Sequence, residues 1–180
     1  GFGHEKSTAG DVLVFTGQTD PARILTDPAV RGSIVLLAQP LSGATGIPEN
    51  STEESGLETV FESSACQAAG LVVPQIQDEP HHHSLKRTLP RWLKAQQIPG
   101  IYGVDTRALI HRIKARGGMR AKILIEDSRD VSFGSSQNHN LSTHVSVRRT
   151  VTYGSGKKRI ILVDCGVRHS AIRALLRDDI

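Results

Sequence analysis

A thiol, a run of imidazoles and one acidic helix cap are the residues of this sequence whose types and spacing could do chemistry. Cys165 stands in Val163-Asp164-Cys165-Gly166-Val167, with Arg168 and His169 just beyond it. A thiol between a strand end and a helix start can have a lowered pKa, and an imidazole nearby would make a Cys-His nucleophile of it. A small side chain filling a tight turn explains the same residues more simply. Cys66 has no such neighbours and reads as filler. His81, His82 and His83 could bind a metal weakly through ring nitrogens. Adjacent residues on a loop seldom point at one ion, however, and no carboxylate or cysteine at ligand spacing completes a site, so a solvated loop is expected and no metal ligand is assigned. Asp105-Thr106-Arg107 could suggest acid-base chemistry, but helix capping accounts for Asp105 and Thr106, and an ion pair for Arg107. Gly1-Phe2-Gly3 lacks the preceding strand, third glycine and helix of a dinucleotide fingerprint. No catalytic residue and no cofactor is assigned to the chain.

The elements that must position these residues are legible from local pattern. Asp11 to Phe15 and Gly32 to Ala38 are short aliphatic runs between turn formers, so each reads as a strand, the second one buried. Between them, Thr16 to Pro28 reads as a loop with one helical turn at Ala22 to Leu25. Ser42 to Ser55 is polar and aperiodic, an exposed loop, and Gly70 to Val73 is a further strand. Thr88 can cap a helix with Leu89, Trp92 and Leu93 on one face, which Pro99 stops. Asp105 or Thr106 can cap a second helix, with Leu109, Ile110 and Ile113 as its stripe and Gly117 as its terminator. Ala121 to Ile125 alternates like a half-buried strand, and Ser128 to Asn140 is linker-like. Ile160 to Val163 then reads as a buried parallel strand, followed by a helix carrying Ile172, Leu175 and Leu176. The expected organisation is a domain over 1–140, a linker over 141–157 and the opening βα unit of a second domain over 158–180, which cannot bury both of its faces alone.

The 180 residues, 38% apolar and 22% charged, suffice for one cored domain and part of another. No apolar run approaches the roughly 20 residues that span a bilayer, so no membrane partner is expected. Gly1 to Gly10 lacks the pattern of a secretory signal. Two distant cysteines provide no disulfide framework, and a reducing, cytoplasmic compartment fits best. The net charge of +4 is unevenly spread: residues 1–80 hold 3 Lys/Arg against 11 Asp/Glu, and residues 81–122 hold 10 against 1. A stand-alone module binding nucleic acid or another anion through the basic segment 86–122 is one reading. Trp92 and Tyr102 are the stacking platforms that segment offers, so a solvated helical face or a protein contact is expected instead.

Four fragments, in order, resemble the small subunit of glutamine-dependent carbamoyl phosphate synthetases. Gly3-His4-Glu5-Lys6-Ser7-Thr8-Ala9-Gly10-Asp11-Val12 is similar to the family's small-residue turn into its Gly-Glu-Val-Val-Phe strand, and Leu25-Thr26-Asp27-Pro28 to its Leu-Thr-Asp-Pro loop. Gly103-Val104-Asp105-Thr106-Arg107, followed by Ile110, Ile113 and Gly117, resembles its Gly-Ile/Val-Asp-Thr-Arg helix start. Val163-Asp164-Cys165-Gly166-Val167, followed by Ile172-Arg173, resembles the Val-Asp-Cys-Gly-Val/Ile-Lys start of its glutaminase domain. The resemblance implies an α/β fold: a three-layer β/β/α swivelling-type domain, then the first βα unit of a flavodoxin-like glutaminase domain. It implies a non-catalytic structural and docking part, with the large subunit or a fused synthetase domain and the glutaminase domain as partners. ATP and Mg would serve the synthetase part, and the product, carbamoyl phosphate, would supply pyrimidines or arginine.

Departures from the family pattern bear on the site. The family's first strand pair would lie before Gly1, which leaves a sheet edge without its neighbour. Its Thr-Gly-Tyr-Pro stretch is Gln18-Thr19-Asp20-Pro21 here, and its Tyr-Pro-Leu-Ile-Gly-Asn loop is Gln39-Pro40-Leu41-Ser42-Gly43-Ala44. Ala29 occupies the position where many members contact glutamine with Ser, so a contact there would come from backbone or apolar surface, and the nitrogen donor is glutamine or ammonia. The family nucleophile sits on a later Gly-x-Cys-x-Gly elbow, not found in this sequence, so Cys165 is not expected to catalyse.

Overall fold

A computed structural model describes residues 1–18, 20–40, 46–48, 51–76, 85–126, 130–133 and 140–177. In chain order the strands are β1 (Phe2–Gly3), β2 (Thr8–Phe15), β3 (Ile34–Leu37), β4 (Ile47–Pro48), β5 (Gly70–Val72), β6 (Leu85–Arg87), β7 (Pro99–Ile101) and β8 (Arg120–Ile123). The helices are α1 (Pro21–Leu25), α2 (Leu89–Ala95), α3 (Thr106–Arg116), α4 (Ser142–Val145) and α5 (His169–Arg177), with a 3-10 turn at Pro28–Val30. The α/β class expected from the sequence is the class observed. His81 to His83, Thr19, and most of the loops 42–50 and 128–139 lie outside the described residues.

Six strands form one sheet in the order β1-β7-β5-β3-β2-β8, and β4 pairs with β6 in a separate ladder. Strands β2, β3, β5 and β7 run parallel, while β1 and β8 join antiparallel at the two ends. All four residues of β3 are aliphatic and buried, because a parallel strand covered on both faces has no polar side. Val35 and Leu37 pack on one face with Leu25 of α1 and with Trp92 and Leu93 of α2. Ile34 and Leu36 pack on the other with Val12 and with Ile113 of α3. Each such side chain is worth about 1.5–3 kcal/mol on burial, so the two clusters hold the sheet between its helices.

Caps set the helix ends. The Asp20 carboxylate accepts the Ala22 N–H at 2.8 Å, with Pro21 at the first helical position of α1. Asp105 accepts the Ala108 N–H at 2.9 Å, and α3 ends on Gly117 at φ 70° with Lys114 and Arg116 in its last turn, as expected of a left-handed terminator and of cations at the negative end of a helix. Thr88 precedes α2 but its side chain makes no capping bond. An N-cap oxygen reaches the N–H of the second or third helical residue; the second here is Pro90, which has none, so Arg91 is the one donor left to it.

The strand expected at Ile160 to Val163 does not form. No strand pairs with it among the described residues, and Ile161 and Val163 are 87% and 80% exposed. A parallel strand needs neighbours for its backbone and helices for its faces, and local hydrophobicity supplies neither. The helix expected after it is present as α5, and a four-residue helix, α4, lies within the stretch expected as linker. On β8, Arg120 and Lys122 lie over the Phe133 ring at 4.9 and 4.7 Å, and Lys122 pairs with Asp130 at 2.7 Å.

Candidate functional site

Ala29 sits exposed on the 3-10 turn that follows α1, and the turn is tied down from below. Thr26 is fully buried; its hydroxyl donates to the Ala22 carbonyl at 2.8 Å and accepts the Glu62 N–H at 3.0 Å. The Ser63 hydroxyl donates to the Thr26 carbonyl at 2.6 Å, and the Gln67 N–H to the Leu25 carbonyl at 2.7 Å. Asp27 closes the turn by accepting the Ala29 N–H at 3.0 Å. That backbone donor is therefore spent, and Ala29 presents a methyl group and a carbonyl in place of a hydroxyl.

A second turn, around Cys165, meets the first. The Asp164 carboxylate accepts the N–H groups of Val147 at 2.7 Å and of Gly166 and Val167 at 2.8 Å each. Partial burial raises the pKa of Asp164, but these three donors outweigh it and hold the group below the ordinary carboxylate value. Gly166 has φ +106°, and a Cβ on it would lie 3.1 Å from Pro28 Cβ and 2.9 Å from Val145, so glycine is required both by conformation and by the close approach. An ion pair between Arg168 and Asp27 at 2.7 Å completes the junction. The structure thus brings together two fragments, Leu25 to Ala29 and Val163 to Val167, that the sequence holds more than a hundred residues apart.

The two thiols differ in exposure. Cys165 is exposed, and no hydrogen bond joins it to an imidazole among the described residues. Cys66 is buried, and desolvation pushes its thiol up to about 12, which keeps it protonated.

The helix after the second turn is attached through charge. Glu62, 2% exposed, accepts from Arg23 Nε at 2.6 Å and from the Ser170 N–H at 2.9 Å, while its carbonyl accepts the His169 N–H at 3.0 Å. Burial alone would raise the carboxyl pKa; the bonds from Ser170 and Arg23 hold it below the ordinary value. Arg173, 7% exposed, donates to the Glu58 carbonyl and lies 3.7 Å from the Glu53 carboxylate, with Arg177 at 3.8 Å from the same group. His169 Nδ1 is enclosed with no hydrogen-bond partner among the described residues, and burial holds the imidazole below its usual pKa. Sequence reasoning missed Glu62 and met Arg173 only as part of the Ile172-Arg173 fragment of the resemblance, because nothing in their neighbours marks either one for burial.

A cleft of about 1230 Å³ opens between Ser63, Gln67, the 144–164 stretch and the Ile172, Leu175 and Leu176 side of α5; Ala29 does not line it. The cations of α3, Arg107, Arg112, Lys114 and Arg116, are exposed. No group of acidic, histidine or cysteine side chains among the described residues could hold a metal ion, and no described helix is long and apolar enough to cross a membrane.

Residues 1–123 match the family model for the carbamoyl-phosphate synthase small chain, CPSase domain. Over 178 residues the chain is 36% identical to the mitochondrial carbamoyl-phosphate synthase [ammonia] of Rattus norvegicus, covering 98% of this chain and 12% of that protein. It is 33% identical over 187 residues to the carbamoyl phosphate synthase small chain of Pyrococcus furiosus, covering 98% of this chain and 49% of the relative. It is 34% identical over 179 residues to the multifunctional protein CAD of Squalus acanthias, covering 98% of this chain and 8% of the relative. The chain therefore spans half or less of each of these proteins. A family match over more than two thirds of its length decides the matter: the chain belongs to the carbamoyl-phosphate synthase small chain family.

Proposed function

We propose that this chain is a non-catalytic structural and docking part of a carbamoyl-phosphate synthase. The chemistry belongs to parts of the protein outside these residues: a glutaminase domain that releases ammonia, and a large subunit or fused synthetase domain that uses ATP and Mg to make carbamoyl phosphate. The observation that supports this reading is the junction of the Asp27 turn with the Asp164 turn, in which Asp27 and Pro28 meet Arg168 and Gly166. The methyl group and carbonyl that Ala29 presents can bound a ligand site, and neither is a nucleophile or a general base.

Assay of the 180-residue chain for glutamine hydrolysis tests the reading. No turnover above buffer is expected, and Cys165→Ala should change nothing. Hydrolysis by the chain that Cys165→Ala abolishes would sink the scaffold role.

A further inference from the structure

We infer that Glu62 is a clasp: it locks the start of α5 onto the sheet domain and so holds the Ala29 turn and the Cys165 turn as one surface. The inference rests on the scaffold reading and names the residue that couples its two halves. One buried residue makes four connections. Its N–H reaches the Thr26 hydroxyl beneath the Ala29 turn, and one carboxylate oxygen takes the Arg23 guanidinium of α1. The other oxygen takes the Ser170 N–H, and its carbonyl takes the His169 N–H. The last two are orphan donors of the first turn of α5, where a carboxylate also meets the positive end of the helix.

Further along α5, two arginines add polar contacts to the same part of the domain. Arg173 and Arg177 reach Glu58 and Glu53, four and eight residues along the helix from His169, while Ile172, Leu175 and Leu176 line the open cleft. Apolar packing tolerates sliding, whereas charge-assisted hydrogen bonds fix direction and register. The placement of α5, and through Arg168 and Gly166 that of the Cys165 turn against Asp27 and Pro28, is therefore set by polar contacts that centre on Glu62.

Amide hydrogen exchange of the 180-residue chain reads this directly, with the β3 amides as internal reference. Glu62→Ala is expected to speed exchange across α5 by about ten-fold or more while β3 is unchanged. Glu62→Gln, which retains an acceptor oxygen for Ser170, should restore part of that protection. Ser170→Pro deletes the N–H that reaches Glu62 without touching the domain core; proline is tolerated at the second helical position, where α2 already has Pro90. It should loosen α5 in the same way. Unchanged α5 exchange in both Glu62→Ala and Ser170→Pro overturns the clasp, as does a loss that β3 shares equally in both. Either result leaves the scaffold reading standing, since that reading falls on glutamine hydrolysis by the chain.

Discussion

Acid acts on the start of α5 through two residues, and both signs point the same way. The Glu62 carboxyl titrates below its ordinary value of 4.5 in the folded chain, so its contribution to stability is present above that value and is lost as the pH falls through the folded pKa. His169 is held below its ordinary 6.5, first by burial and then by Arg173, against the pull of Glu58 and Glu62. The unfolded chain therefore takes up a proton there first, and stability begins to fall as the pH drops below 6.5. An NMR titration of the His169 ring should show a midpoint below 6.5, with α5 loosening as the ring protonates; a midpoint at or above 6.5 would contradict the enclosed position of Nδ1. At this scale the sequence was least legible. Glu62 lies in a polar stretch, and its partners Arg23 and Ser170 are 39 and 108 residues away, distances that no local pattern spans.

Among the elements, α2 ends less well than α3. Gln97 follows α2 at φ 58°, a left-handed conformation that costs a residue with a Cβ roughly 1–2 kcal/mol relative to its preferred regions, and α3 meets the same need with Gly117. Gln97→Gly is expected to stabilise the chain by about 0.5–1 kcal/mol, measured as a higher urea midpoint at unchanged slope; a lower midpoint would show that the Gln97 side chain contributes more than its backbone costs. Elements with strong local signals were legible: β3 from its unbroken aliphatic run, and α3 from its cap, stripe and terminal glycine. Strands β1, β4, β6 and β7 have two or three residues each, too few for any periodicity to register. Ile160 to Val163 was misread for the opposite reason, since its composition is that of a buried strand while burial depends on partners elsewhere. Of the candidate site, the sequence disclosed both turns through their family resemblance but not that they touch.

The whole molecule divides into a well-cored sheet domain and an attached tail whose security depends on a few polar contacts. Between α4 and α5 there is no helix or strand, and Arg148, Arg149, Lys157, Lys158 and Arg159 are exposed there. Limited trypsin digestion, followed by mass spectrometry, should cut within residues 148–159 before any site in α3, whose Ile113 anchors it in the core; earlier cleavage inside α3 would show that the helix opens more readily than the tail. The uncovered run Ile160 to Val163 has a further consequence in concentrated solution. Four aliphatic residues that make no backbone hydrogen bond among the described residues can pair edge to edge with another molecule. Lys157, Lys158 and Arg159 on one flank and Asp164 on the other act as gatekeepers against it. The colloidal behaviour of the chain thus hangs on repulsion between those cations, and salt, which shortens the Debye length from about 10 Å at 0.1 M to about 3 Å at 1 M, strips that protection away.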